Sequence, residues 1–416
     1  MNRTQVKQRG RGRLGPILLA GAMLTAGATI PAGSAAAAPA ADECPTVVPV
    51  REVAAGLAGS GLTVSRGQVP EPFKADIIGV LKDGIAPGVP MIIAETESPA
   101  IDRVGGIWAG MSGSPVYAPD GRLIGAIAYG LSFGPSKIAG ITPAEDMMKV
   151  LRTPGSVPTP MRQKVALSKP FQKLVAETGA VTAQQATSGL ERLPLPFTVS
   201  GVTDAQLAKV KGRLPAGVKA VRGAAVATNL RADAEQIQPG GNLAAAISLG
   251  DVTAAGVGTA TVVCEGKAVG FGHPMLFSGA SSLSANAADA ITVQNESVGA
   301  PYKLANVGGV VGRIDQDRRA GIRAQLGAGP TATPVTSTVT DTGTGETRDG
   351  LTAVQDRKWA AEIAPMHLLA NFDRVVDRIG AGRSTVTWTA TGTAGGKPWS
   401  LTRSNTFAES DRSRWA

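Results

Sequence analysis

Residues 110–115 read Gly110-Met111-Ser112-Gly113-Ser114-Pro115, and a hairpin pattern follows at once. Two glycines free the backbone for a turn that β-carbon-bearing residues resist, and Pro115 stiffens its exit. Pro115-Val116-Tyr117, then Pro119-Asp120-Gly121, then the apolar run 123–129 reads as two strands joined by a tight Asp-Gly turn. The serine-bearing turn is therefore set on a sheet, not on a helix. Upstream, residues 74–81 and 90–95 read as strands with Gly84, Pro87 and Gly88 punctuating the turn between them. With 53 glycines and aromatics at only 4%, the chain suits many short strands bearing small side chains, and we expect a mainly β fold.

A chain of 416 residues is long for one core, so two or three domains are expected. The first β domain spans 45–151 and closes on a short helix at 143–151, with Pro143 near its first turn and Glu145 and Asp146 suited to its N-terminal dipole. Residues 152–242 read as a proline-containing linker followed by a small α/β unit. That unit has a strand at 197–200 and a capping-box pattern, Thr203 to Gln206, ahead of a helix. A second β domain spans 243–345, with a hairpin from 257–263 and 267–271 around Cys264-Glu265-Gly266. Residues 346–416 read as an extension: a helix over 366–379 with Gly380 beyond its end, a strand at 384–390, and a disordered polar tail.

The first forty residues read as an export signal. Arg3, Lys7, Arg9, Arg11 and Arg13 precede the uncharged stretch 16–30, which is short for a membrane span, and small residues follow at 34–40. The whole chain carries +9, and five of those charges leave with the signal, so the mature protein sits near +4. That balance does not suggest a nucleic-acid partner, and no stable membrane span is expected once the signal is gone. Cys44 and Cys264 are the only cysteines. In an oxidising compartment they can pair, closing a loop that contributes about 5 kcal/mol in the chain-entropy picture; two free buried thiols are the alternative. Two cysteines and two histidines, widely scattered, give no metal-ligand spacing. No metal and no cofactor are expected.

Ser112 is the foremost candidate for chemistry. A serine hydroxyl becomes a nucleophile when a base takes its proton and an oxyanion site receives the developing charge. A turn around Gly110 and Gly113 can point the N–H groups of Gly110 and Ser112 at one spot. The alternative is a Gly/Ser-rich turn with no chemistry. Any Ser–His pair must use His273 or His367, the only histidines. His367 falls in the first turn of the expected helix, on its polar side, and reads as solvated. His273 stands at a strand end between Gly272 and Pro274, and the proline biases it toward extended geometry. A satisfied structural histidine is the alternative there. Asp76, Glu95, Glu97, Asp251 and Asp289 are open as an orienting carboxylate, and Lys137 is the base of a Ser–Lys scheme.

Residues 105–109 running into the Ser112 turn, and then Gly121-Arg122-Leu123-Ile124-Gly125-Ala126, resemble the nucleophile segment of the SpoIVB family of bacterial serine peptidases. The stretches 73–81 and 138–141 are similar too. A second block, 254–259 through Gly270-Phe271-Gly272-His273 and on to 308–312, looks like that family's histidine segment. The resemblance implies a trypsin-like double β-barrel with Ser112 as nucleophile and His273 as general base. The two blocks stand in permuted order, the histidine block following the serine block. Where related sequences place an Asp-Pro ahead of the turn, this chain has Glu97-Ser98-Pro99, which makes Glu97 the candidate third member. No PDZ domain is evident.

These readings favour an exported serine endopeptidase that works through an acyl-enzyme on a protein or peptide substrate, with self-cleavage left open. The alternative is a non-catalytic extracellular or cell-envelope binding module built on the same barrels. An ester hydrolase fits less well, since no G-x-S-x-G elbow joins a strand to a helix.

Overall fold

In the computed structural model the described residues are 43–154, 164–203, 207–208, 218–222, 237–296, 300–378 and 380–409. The expected export signal at 1–40 and most of the expected 203–206 capping pattern lie outside them.

The first sheet contains β1 (Ala58–Thr63), β2 (Glu71–Ala86), β3 (Val89–Glu97), β4 (Pro115–Tyr117), β5 (Leu123–Leu131), β6 (Ile138–Pro143), β7 (Lys164–Val165) and β8 (Leu190–Arg192). Its order is β4-β1-β2-β3-β6-β5-β8-β7, and a further β4–β5 pairing closes six of these strands into an antiparallel barrel. Closure leaves these six strands no free edge. Phe73, Ile77, Ile92, Ile124, Ile127 and Ile141 fill the interior. The hairpin expected after the Ser112 turn is β4–β5, with Gly121 at φ 85° in its turn. The helix expected at 143–151 is α2 (Ala144–Arg152), after α1 (Pro99–Val104).

The second sheet runs β10-β9-β12-β13-β16-β15-β14-β11-β18-β17, with an extra β11–β12 pairing. Its members are β9 (Leu195–Ser200), β10 (Val218–Arg222), β11 (Asn242–Gly250), β12 (Thr253–Cys264), β13 (Lys267–Gly270), β14 (Gly279–Gln294), β15 (Tyr302–Arg318), β16 (Gly321–Leu326), β17 (Thr333–Thr340) and β18 (Thr347–Val354). Six of them, β11 to β16, close into a second antiparallel ring. Small side chains let the walls approach: Ala245, Ala260, Ala285 and Ala324 share the interior with Leu243, Leu283, Ile314 and Ile322. The mainly β, double-barrel fold is thus present. A shared apolar cluster joins Tyr117 and Leu123 of the first barrel, with Met147 of α2, to Val262, Cys264 and Val269 of the second.

Two expected boundaries differ. The described strands of the connection 152–242 join the two sheets: β7 and β8 extend the first, with α3 (Lys169–Glu177) and α4 (Ala183–Ser188) between them, while β9 and β10 extend the second. Its short strands cannot bury a core alone, so they add to barrels that already have one. As far as Glu409 the expected C-terminal tail is also not irregular. β19 (Gly382–Ala394) and β20 (Lys397–Glu409) form a long hairpin about Gly395 and Gly396, both at positive φ. Its polar residues serve as cross-strand partners, Thr387 to Ser404 and Thr389 to Thr402, each at 2.9 Å. The preceding helix, α5 (Ala360–Val376), starts earlier than expected because a 3₁₀ turn capped by the Asp356 carboxylate leads into it, and it ends on Asp377 in the left-handed region. Among the described residues no helix is long and apolar enough to cross a membrane.

Candidate active site

The serine turn hangs between α1 and β4 on the side chain of Met111. Met111 is buried in the first barrel's core beside Trp108, so it anchors the turn from below. The Met111 N–H donates to the Trp108 carbonyl, and the Met111 carbonyl accepts from the Ser114 N–H and hydroxyl. Gly110 and Gly113 stand at φ 94° and 98°, where an L side chain is strained. Crowding makes Gly113 more demanding still, because an added Cβ there would run into the Thr259 carbonyl and the Phe271 N–H.

The second barrel holds this turn through β12. The Thr259 N–H donates to the Ser112 carbonyl at 2.8 Å, its hydroxyl to the Gly110 carbonyl at 3.0 Å, and the Thr261 hydroxyl to the Gly113 carbonyl at 2.6 Å. Within the turn the N–H groups of Met111, Gly113 and Ser114 all have acceptors. Those of Gly110 and Ser112 have none among the described residues. These two N–H groups are the ones expected to receive an oxyanion.

His273 reaches the serine from the end of β13. Phe271 and Gly272 both adopt positive φ, 69° and 66°, and this pair of left-handed residues throws the chain off the strand toward the first barrel. A buried aromatic in that region is strained and is held only by its surroundings. The Thr142 hydroxyl, from the first barrel, donates to the Gly272 carbonyl at 2.6 Å. As a result His273 Nε2 lies 2.9 Å from Ser112 Oγ across 161 residues of sequence. Both side chains are fully buried.

The other ring nitrogen fixes the tautomer. His273 Nδ1 lies 2.8 Å from the Pro274 carbonyl oxygen, which can only accept. Nδ1 therefore carries the proton, and the Nε2 lone pair faces the serine hydroxyl. Burial first, and then the Arg192 cation, lower the His273 pKa to about 3, against the Pro274 hydrogen bond, which raises it. The imidazole is held neutral, in the form a base requires.

Arg192 was not singled out in the sequence. It ends β8, pairs with Tyr129 in β5, and its guanidinium donates to the same Pro274 carbonyl at 3.2 Å. A buried arginine that bonds a histidine loop cannot be told from any other arginine by spacing alone.

Three sequence candidates lie elsewhere. Glu97 is exposed at the end of β3, where it pairs with Lys74 at 3.2 Å, so it is not the third member; the Pro274 carbonyl occupies that place. Strand alternation explains the miss, since Glu97 faces solvent one residue beyond the buried Thr96. Lys137 Nζ pairs with Asp102 at 2.6 Å, and that hydrogen bond raises its pKa, which unsuits it as a base. His367 is not solvated. It is buried in mid-α5 between the hydroxyls of Thr352 at 2.8 Å and Ser337 at 3.0 Å. Away from the site, Cys44 and Cys264 are joined in a disulfide, tying the N-terminal arm to the end of β12.

Residues 27–148 match the family model of SpoIVB peptidase S55, a match that takes in the first barrel and Ser112 and stops before His273. No curated protein and no solved structure matches the chain.

Proposed function

Taking the chain as a member of the SpoIVB-type serine peptidases, we propose that it is an exported endopeptidase in which Ser112 is the nucleophile and His273 the general base. One observation carries this reading: Ser112 Oγ and His273 Nε2 stand 2.9 Å apart, from two different barrels, with the histidine in the tautomer that can accept. In the acylation step Nε2 takes the hydroxyl proton as Oγ attacks the peptide carbonyl. The N–H groups of Gly110 and Ser112 receive the negative charge on the carbonyl oxygen. The imidazolium then gives its proton to the leaving amine, and water, activated by the same nitrogen, releases the acyl group. The imidazolium has a carbonyl rather than a carboxylate on Nδ1, and a cation nearby. It is stabilised less than in a Ser-His-Asp arrangement, so a modest rate is expected. Both side chains are buried, so a peptide reaches Ser112 only when the covering segments part.

That burial, together with the missing carboxylate, is also what a non-catalytic binding module would show. Hydrolysis of an unfolded protein substrate decides between the two. We expect cleavage by the mature chain and its loss in Ser112→Ala and in His273→Ala, each costing about as much as both together. Cleavage that survives Ser112→Ala would remove this reading. The basic residues 3–13, the uncharged run 16–30 and the small residues 34–40 support an extracytoplasmic location. N-terminal sequencing should find a mature start between residues 39 and 42, and an intact Met1 on soluble cytoplasmic protein would contradict it.

A further inference from the structure

The acceptor on His273 Nδ1 belongs to the next residue in the chain, so it is only as well placed as the loop that follows. Residues 274–278 form no helix or strand, and nothing in a backbone ladder holds them. Their donors converge instead on one side chain. Asp317 Oδ1 accepts the Met275 N–H at 2.9 Å. Oδ2 accepts the Leu276 N–H at 2.7 Å, the Ser278 N–H at 3.3 Å and the Ser278 hydroxyl at 3.4 Å. Asp317 itself is fully buried near the end of β15. Its backbone is pinned on both sides, opposite Gly279 in β14 and Ile322 in β16. Burial raises its pKa, and the donors from the loop work against that rise. Arg192 meets the same loop from the first sheet at the Pro274 carbonyl.

We propose that Asp317 is the positioning carboxylate of this site: by gripping the 275–278 loop it fixes the Pro274 carbonyl that receives the His273 Nδ1 proton. The proposal rests on Ser112 and His273 acting as nucleophile and base. In a Ser-His-Asp site the carboxylate touches the imidazole. Here it acts one step removed, through a backbone carbonyl. Without that grip the carbonyl can turn away, and the proton is free to move to Nε2. The serine then faces a donor, and no base is left to activate it.

The test uses the full mature chain, ¹⁵N-labelled, with two readouts. The first is the His273 Nδ1–H proton resonance, simple to assign because the chain has two histidines, and visible whether or not the protein is active. The second is the rate at which a fluorophosphonate labels Ser112. In Asp317→Asn we expect the hydrogen-bonded Nδ1–H resonance to vanish or move upfield, and labelling to slow about 100-fold, with the fold retained by circular dichroism. A purely structural aspartate would leave the tautomer alone. An unchanged resonance in the folded variant overturns the proposal, as does labelling within threefold of wild type. If Asp317→Asn does not fold, Asp317→Glu takes its place. Its extra methylene displaces the loop, so the resonance should shift and labelling fall at least tenfold; unchanged values there overturn the proposal. A wild-type chain that never labels removes the catalytic reading instead, while the resonance still tests the grip of Asp317 on the loop.

Discussion

A Cβ added to Gly110 would stand 2.9 Å from the Cβ of Lys303, closer than real Cβ contacts come. Lys303 is fully buried in β15, its N–H donates to the Ala109 carbonyl, and its Nζ donates to the Asn242 side-chain oxygen at 2.8 Å. It cannot move aside cheaply. Gly110 also sits at φ 94°, so Gly110→Ala meets both backbone strain and crowding at the residue expected to offer the first oxyanion N–H. We expect this substitution to slow acylation by about 100-fold or more while the barrels remain folded. Single-turnover kinetics beside a thermal melt checks it, and near-wild-type acylation would count against an oxyanion role for this turn.

The neutral state of His273 sets the pH behaviour. With its pKa lowered to about 3, the base stays unprotonated through the mildly acidic range. The acid limb of kcat/KM should therefore lie well below the ordinary histidine value of about 6.5. A limb centred near 6.5 would contradict the buried, carbonyl-bonded imidazole. The same shift affects folding. The unfolded chain takes up a proton on this histidine near pH 6.5 and the folded chain does not, so stability is fully present above that pH. It is lost as pH falls toward 3, by about 1.4 kcal/mol per pH unit. Thermal melts from pH 7 to 4.5 should show this loss, and His273→Gln should weaken it.

How much of this was legible from residues alone varies from place to place. The Ser112 turn was, because glycines on both sides of a serine ahead of an Asp-Gly hairpin leave few conformations, and both glycines indeed stand at positive φ. The double barrel was implied by the resemblance, and the mainly β content by the small-residue strands, yet which strand closes which ring depends on pairings between residues far apart, such as 242 with 259. The supporting residues were not legible. Arg192 and Asp317 reach one loop from different sheets, and nothing local in either sequence context marks them. The third place of the site was misread as Glu97 because sequence can nominate a carboxylate but not a backbone carbonyl.

His367 carries a separate prediction. It is buried between Thr352 and Ser337, and Asn371 one turn on donates to its backbone carbonyl at 2.9 Å. His367→Ala would leave two hydroxyls without their partner and a gap under α5. We expect a loss of about 2–3 kcal/mol in chemical denaturation, with the activity of the folded fraction unchanged. Loss of activity without loss of stability would point to a role this position does not have here.

The disulfide between Cys44 and Cys264 ends the strand that carries Thr259 and Thr261, the two threonines gripping the serine turn. Closing a loop with a sequence separation of 220 contributes up to about 5 kcal/mol in the chain-entropy picture. Reduction should lower the melting temperature clearly, and non-reducing peptide mapping should recover the crosslinked fragment. Quantitative alkylation of both thiols without reductant would rule the bond out.

The most direct test of the Ser112–His273 pair is the intact mass of the mature chain after exposure to a fluorophosphonate, followed by peptide mapping of the adduct. The geometry, with Oγ 2.9 Å from an accepting Nε2, predicts one adduct per chain, on Ser112, absent in Ser112→Ala and nearly absent in folded His273→Ala. A folded wild-type chain that stays unmodified, or one that labels equally well without His273, would contradict it.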